Sequence, residues 1–195
     1  MNQHIFDTVA NTIASRRTIK PAQMNGLQVP DALVRSLLQL AAWAPNHGNT
    51  EPWQFFVWAG AEKVKEFCRQ HAELYKAHTP EASYNEGAYE KLLHMGDSAS
   101  HVIIAVMRRG VLERIPVLEE IAAAAAAVQN LLIGAAAAGI AAYWGSGGMV
   151  LRPAMKEFLG LREEDIVMGA IYLGQSDVVK KGSRVVPVEM KTSWM

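Results

Sequence analysis

Cysteine is almost missing from this chain: Cys68 is the single thiol in 195 residues, so an internal disulfide framework is excluded. A surplus of either charge is missing too. Lysine plus arginine number 19 and aspartate plus glutamate 19, so no global field draws the chain to nucleic acid or anionic lipid. The first residues, Met1-Asn2-Gln3-His4, lack the basic and apolar regions of a secretory signal, and a cytoplasmic address is expected. Metal-ligand spacing is also absent. His71 with His78 and His94 with His101 lie seven apart, no His-Glu-x-x-His or cysteine pair occurs, and no metal is expected. No internal repeat is found, and one tract alone is of low complexity, a run of alanines. Cys68 itself lacks a neighbouring base and reads as packing.

That alanine run is the stretch around which the rest is organised. Pro116-Val117-Leu118-Glu119-Glu120 leads into Ile121 through Val128, then Gln129-Asn130 and on to Gly139. Proline suits a first helical turn, glutamates favour its positive end and alanine is the best helix former, so a helix of roughly 36 Å is predicted. Only Gln129 and Asn130 are polar between Ile121 and Ala142, which leaves no face suited to water. Length alone would allow a membrane span. Alanine carries little transfer energy, however, a Gln-Asn pair sits in the middle and no basic cluster flanks either end. The helix is therefore expected to be buried on all sides, as the hub of a core and of a subunit interface.

Half of the residues are hydrophobic, enough for one substantial core, and residues 1–195 are expected to form a single domain. Ile5, Phe6, Val9 and Ile13 recur at helical spacing. A second helix is predicted from Pro30-Asp31, burying Leu33, Val34, Leu37, Leu38 and Ala41 and stopping at Trp43-Ala44-Pro45. Residues 46–52 make a polar turn-rich loop, and 53–58 a strand dense in aromatic and branched residues. Residues 61–77 form an amphipathic helix with Val64, Phe67 and Leu74 inward. From His78 to Gly96 the pattern weakens into loop and helix, an excursion suited to a lid. Strands follow at 101–107, 140–144 and 166–173, with a short helix from Arg152-Pro153 to Phe158. The tail carries Lys180, Lys181 and Arg184, and its Val185, Val186 and Val188 are expected to pack on something. Helices before, between and after a few strands indicate an α+β fold, a sheet sandwiched by helices.

Three places could carry chemistry. Ser15-Arg16-Arg17-Thr18-Ile19-Lys20 gathers three cations and two hydroxyls, either an anion site built on planar guanidinium forks or a solvated helix end whose cations complement the dipole. Gly145-Ser146-Gly147-Gly148 is not a dinucleotide fingerprint, because Val150 stands at the third glycine position; it is a simple turn or one that admits a planar ligand to the backbone. His47, in a loop beside Asn46 and Asn49, is a surface residue or a proton donor near its titration range.

The order of these motifs is more specific than any one of them. Ser-Arg-Arg-Thr-x-Lys at 15–20, Ala44-Pro45-Asn46-His47-Gly48-Asn49-Thr50-Glu51-Pro52-Trp53, the alanine-rich helix entering Gly139-Ile140 and Tyr143-Trp144-Gly145-Ser146, and late Ile171-Tyr172-Leu173-Gly174 together resemble the nitroreductase superfamily of FMN-dependent oxidoreductases, most of all its compact bacterial members. The resemblance implies a mainly antiparallel central sheet and a homodimer holding two FMN molecules at its interface, with the long helix between subunits. It implies that Arg16, Arg17 and Thr18 hold the phosphate and the pyrimidine-side edge of the flavin, with Lys20 nearby. Trp43, His47 and Asn49 would reach the same flavin from the partner chain, and the backbone of Trp144, Gly145 and Ser146 would lie along its ring. NADH or NADPH would then pass hydride to the flavin in a ping-pong cycle serving nitroaromatic, quinone-like or other conjugated acceptors, with His47 the candidate proton donor and no obligatory catalytic side chain. Thr18 stands where serine is common, Glu51 where glutamine is common, Gly145 where related chains carry a larger residue, and Gln175-Ser176 where x-Pro is common. Two alternatives stay open: a flavoprotein of the same fold with another task, such as a dehydrogenase, a dehalogenase or a flavin-consuming enzyme, and a non-catalytic helical dimerisation module.

Overall fold

His101–Met107 forms strand β2, and all seven of its residues are buried, as befits a strand with a neighbour on each edge and helices on each face. The computed structural model describes residues 2–195. Strands β1 (Trp53–Ala59), β3 (Ala141–Gly145) and β4 (Ile166–Gly174) complete one sheet in the order β1-β2-β4-β3, and every neighbouring pair is antiparallel. A register shift between Ala105 and Val106 leaves Met168 of β4 as the extra residue, a bulge in that strand.

Strand alternation divides the core in two. Ile103, Ala105, Ile171 and Leu173 face helix α2 (Asp31–Ala41) and helix α5 (Val117–Ala137). Val102, Ile104, Val106, Val167 and Tyr172 face helix α3 (Ala61–His78) and helix α6 (Pro153–Phe158). The sandwich expected from the order of elements is thus present. Helix α1 (Gln3–Ser15) lies outside it with no buried residue, and helix α4 (Glu86–Leu93) caps α3.

Helix α5 has 21 residues and is the longest, about 32 Å at 1.5 Å per residue, because Pro116 and Gly139 flank it rather than belong to it. It is long and apolar enough to cross a membrane by those criteria, yet half of its apolar window lies inside the fold. Gly134 lets α2 approach: a Cβ there would stand 2.6 Å from Leu40 Cδ1 and 3.0 Å from Leu37 Cδ2. The expectation of burial on all sides needs correction, since a single chain covers one side only. Ala123, Ala124, Ala127, Val128, Leu131 and Ala135 are buried, while Val117, Leu118, Ala122 and Ala137 are exposed. Its first turn holds a buried carboxylate, Glu120, which accepts hydrogen bonds from the Arg109 guanidinium and the Gly110 amide. Arg108 and Arg162 pair with Asp165 beside it, so the basic turn after β2 is neutralised inside the fold.

Two apolar segments stay uncovered. Ile5, Phe6, Val9 and Ile13 of α1 are 47–59% exposed. In the tail, Val185, Val188, Met190 and Trp194 are exposed, so of the three valines expected to pack only Val186, 41% exposed, is more than half covered. The tail makes one short 3-10 turn, Val188–Lys191, and runs otherwise without regular structure.

Candidate functional site

The chain leaves α1 at Arg16, whose extended ψ of 126° turns it toward the sheet. Arg17 secures that exit, its Nη1 donating to the carbonyls of Ala14 (2.6 Å) and Arg16 (2.8 Å) at the helix's C-terminal end. The next residues run beside β3: Thr18 bridges Ala142 in parallel, and the Ile19 amide donates to the Ala142 carbonyl at 3.0 Å. Residues 16–20 and β3 therefore lie side by side, pointing the same way.

A cleft opens at each end of this pair. The first, about 260 Å³, is lined by Ser15, Arg16, Arg17 and Lys180 on one side and by Gly139 to Ala142 on the other. Lys180 reaches it from the tail, and its Nζ donates to the Thr18 carbonyl at 2.8 Å. Lys180 is thus the basic tail residue that the fold brings here. Among the described residues Arg17 Nε is buried with no hydrogen-bond partner, a donor that ordinarily finds one. Three cations with an unspent donor are suited to a phosphate.

The second cleft, about 690 Å³, is lined by Lys20, Pro21, Tyr143, Gly147 and Gly148 beneath Tyr75, Leu92 and Met95 of the 75–95 region. Its floor is fixed from below. The Met149 amide donates to His71 Nε2 at 2.9 Å, and Gly148 sits at φ 63°, where a Cβ would lie 2.7 Å from that nitrogen. Burial lowers the His71 pKa to about 4, so the imidazole stays neutral and accepts. Above Gly147 a Cβ would meet nothing within 4 Å, which leaves room for a flat molecule against the backbone. The Tyr143 ring occupies the space beside Gly145, where a Cβ would lie 2.3 Å from it.

Trp144 turns the other way. Its Nε1 donates to the Met168 carbonyl at 3.0 Å and its ring covers Gly169, and neither Trp144 nor Gly145 lines either cleft. Ser146 is exposed at the turn, next to the two lining glycines.

The residues expected to act on a partner's flavin stand apart. Trp43 is 85% exposed after α2. His47 and Asn49 occupy a 3-10 turn (His47–Asn49), with His47 Nδ1 2.7 Å from Glu119 Oε2 of α5. Asn49 and Glu51 both lie at positive φ, 51° and 43°, and the Glu51 amide donates to Asn46 Oδ1. Two non-glycine residues in the left-handed region mark a loop whose shape is held against local preference, a pattern found at functional sites. None of Trp43, His47 and Asn49 lines either cleft of their own chain.

The excursion at 78–96, a suspected lid, is braced rather than loose. Tyr75 Oη accepts from the Asn85 amide, Tyr89 Oη donates to Glu73, and Tyr84 Oη donates to Glu86. Its pocket-lining members Lys91, Leu92, His94 and Met95, with Tyr75 of α3, were not legible as site residues; the one signal was a cluster of tyrosines in an otherwise unpatterned stretch. No group of three metal-ligating side chains occurs among the described residues. Cys68 is buried, with its thiol pushed up to about 11 by burial, as a packing residue should be.

A model of the family described as "Nitroreductase family" matches residues 13–175. The chain is 28% identical over 156 residues to the "Putative NAD(P)H nitroreductase YdjA" of Escherichia coli (strain K12), covering 79% of this chain and 81% of the other. Among solved structures it is similar to the nitroreductase-like family protein from Bacillus cereus, with a TM-score of 0.81, 25% identity, and 96% and 95% of the two chains covered. A "putative nitroreductase in complex with FMN" from Desulfovibrio desulfuricans superposes with a TM-score of 0.69 at 26% identity over 93% and 94%.

Proposed function

The chain belongs to the nitroreductase family, and from that premise we propose that it is an FMN-dependent oxidoreductase, homodimeric, that uses NADH or NADPH to reduce nitroaromatic, quinone-like or other conjugated acceptors. The observation that carries this is the parallel pair of residues 16–20 with β3. It places cations at one end and a glycine-floored pocket at the other, and four residues of extended chain separate Arg16 from Lys20 by roughly 13 Å. A phosphate, a short polyol and a flat ring follow one another in the same order along FMN. The Desulfovibrio relative is described with FMN bound and the Escherichia relative is named for NAD(P)H, which supports both the cofactor and the reductant.

In this reading Arg16, Arg17 and Lys180 hold the phosphate, with Arg17 Nε as the donor still to be used. The Trp144–Gly148 backbone supports the ring, and Lys20 places positive charge at the ring's edge, where it would stabilise negative charge gained on reduction. When bound, FMN supplies the two-electron redox chemistry, and the protein supplies position and field. Trp43, His47 and Asn49 come from the second copy. The Glu119 carboxylate holds the Nδ1–H of His47, which leaves Nε2 as the nitrogen able to serve a ligand. The exposed stripe of α1, the open side of α5 and the apolar tail are the surfaces that pairing would cover.

Purified protein should be yellow, release FMN on denaturation, sediment as a dimer, and oxidise NADH or NADPH only when a nitroaromatic or quinone is added. Colourless protein to which added FMN does not bind would end the proposal.

A further inference from the structure

Beside the ring pocket lies a second cavity of about 510 Å³, between the turn at 78–83 and Arg152. Both cavities are lined by Tyr75 and Gly148, so together they form one trough. The trough is mostly apolar, and the Lys, Arg and His side chains that line it are its basic groups. Lys20, Lys91, His94, His78 and Arg152 line it, and no aspartate or glutamate does; Glu81, although in the same turn, is not among the lining residues. This is a local feature, because the chain as a whole carries no net charge.

Five basic side chains elsewhere, Lys63, Lys65, Arg108, Arg109 and Arg162, each pair with a carboxylate. Among the ion pairs of the described residues, none involves Lys20, Lys91, His78 or Arg152. Unpaired cations facing one concavity concentrate an anionic ligand there. The arm ending at Arg152 adds the hydroxyls of Thr79 and Ser83, so a planar guanidinium fork and two neutral donors border the same space.

We infer that this arm seats a phosphate group of the reducing coenzyme, whose nicotinamide end reaches the ring pocket past Tyr75 and Gly148. The inference rests on the proposed function and adds the residues that recognise the coenzyme's far end. The phosphate has two sources, the adenosine 2′-phosphate of NADPH or the diphosphate shared by NADH and NADPH.

Titration of the protein as purified with adenosine 2′,5′-bisphosphate and, separately, with adenosine 5′-monophosphate tests the inference and tells the sources apart. Arg152→Gln should weaken binding of the bisphosphate roughly tenfold to hundredfold, the range of one charge-assisted contact. Ser83→Ala should weaken it severalfold. Loss confined to the bisphosphate assigns the arm to the 2′-phosphate, and KM for NADPH then rises while that for NADH holds. Parallel loss for the monophosphate assigns it to the diphosphate, and both KM values rise. Arg152 is exposed and outside the flavin contacts, so flavin content and kcat should stay at the wild-type level. Wild-type affinity for both nucleotides in Arg152→Gln, or no binding of either by the unaltered protein, overturns the inference. Yellow protein with that result leaves the functional proposal standing, whereas colourless protein removes the latter on its own.

Discussion

Arg16 and Arg17 are neighbours in the same cleft, and the structure gives them different second duties, so replacing each by alanine separates cofactor binding from folding. Among the described residues the Arg16 guanidinium has no hydrogen-bond partner, while Arg17 closes the end of α1 through two backbone carbonyls. If each holds the FMN phosphate through a charge-assisted hydrogen bond, either substitution should cost about 1.5–3 kcal/mol of binding, a fall of roughly tenfold to hundredfold in affinity. With free FMN at about 100 times the wild-type Kd, bound cofactor raises stability by about 2.7 kcal/mol; a hundredfold weaker variant keeps only about 0.4 kcal/mol of this. For a chain of this size that difference lowers the holoprotein's melting temperature by about 5–9 °C. Without FMN, Arg16→Ala should melt with the wild type, and Arg17→Ala should melt about 2–4 °C lower, because the hydrogen bonds at the helix end are worth about 1 kcal/mol net. Flavin fluorescence titration gives the affinities, and parallel melts with and without FMN give the stabilities. Arg16→Ala binding FMN as tightly as wild type would refute the placement of the phosphate, and equal destabilisation of both apoproteins would refute the division of labour.

Removing one member of the buried Arg109–Glu120 pair strands the other, so Arg109→Met or Glu120→Ala should cost about 3–5 kcal/mol in urea unfolding, and the double substitution Arg109→Met with Glu120→Leu should recover part of it. Acid should act in two windows. Burial lowers His71 from 6.5 to about 4, so the unfolded chain takes up a proton that the folded one refuses, and stability should fall as pH drops through that interval; His71→Gln should flatten the slope there. Burial pushes the Asp165 carboxyl up, but the hydrogen bonds from Arg162 and from the Arg109 and Arg162 amides outweigh it and hold the pKa below its usual 3.8. Its contribution is therefore complete above 3.8 and lost as pH falls through the lower folded value, a loss that Asp165→Asn should abolish. Cys68, with its thiol pushed up to about 11, should react with a disulfide reagent at neutral pH only as fast as the protein opens, and immediate labelling of the folded protein would contradict its burial.

The sheet was legible because period-two runs such as His101–Met107 and Ile166–Leu173 are apolar enough on both faces to exclude any other placement. The cations before Pro21 were legible as a candidate anion site with a solvated helix end as the alternative, and the fold sets Arg16 and Arg17 in one cleft with Lys180. The larger cavity was legible only in part, through the Gly145–Gly148 turn suited either to a simple bend or to a planar ligand. Tyr143 and Gly147 look like any strand and turn, and what makes them a floor is His71, 78 residues from Met149, holding that turn by one hydrogen bond. Contacts of such separation leave no trace in local spacing. The Arg108-Arg109 turn shows the opposite failure, since it reads as exposed charge until Glu120 and Asp165 fold against it.

Helix α5 goes further than either case. Its sequence is apolar all round, and the chain hides one side while leaving Val117, Leu118 and Ala122 open. The same holds for α1, whose stripe Ile5-Phe6-Val9-Ile13 stays about half exposed in the single chain. If these surfaces served only this fold, selection for solubility would favour charge at positions that contribute no packing, and a polar residue there would cost little. A second copy explains them without that conflict, because burying each stripe against a partner supplies about 25 cal/mol per Å² that an isolated chain forgoes. Ile5→Lys combined with Val9→Glu, two exposed positions in the single chain, should therefore leave the monomer's own unfolding nearly unchanged and abolish the dimer on sedimentation. FMN should be lost with it, because Trp43, His47 and Asn49 would no longer reach the cleft; a variant that dissociated and kept its flavin would show that one chain holds the cofactor alone.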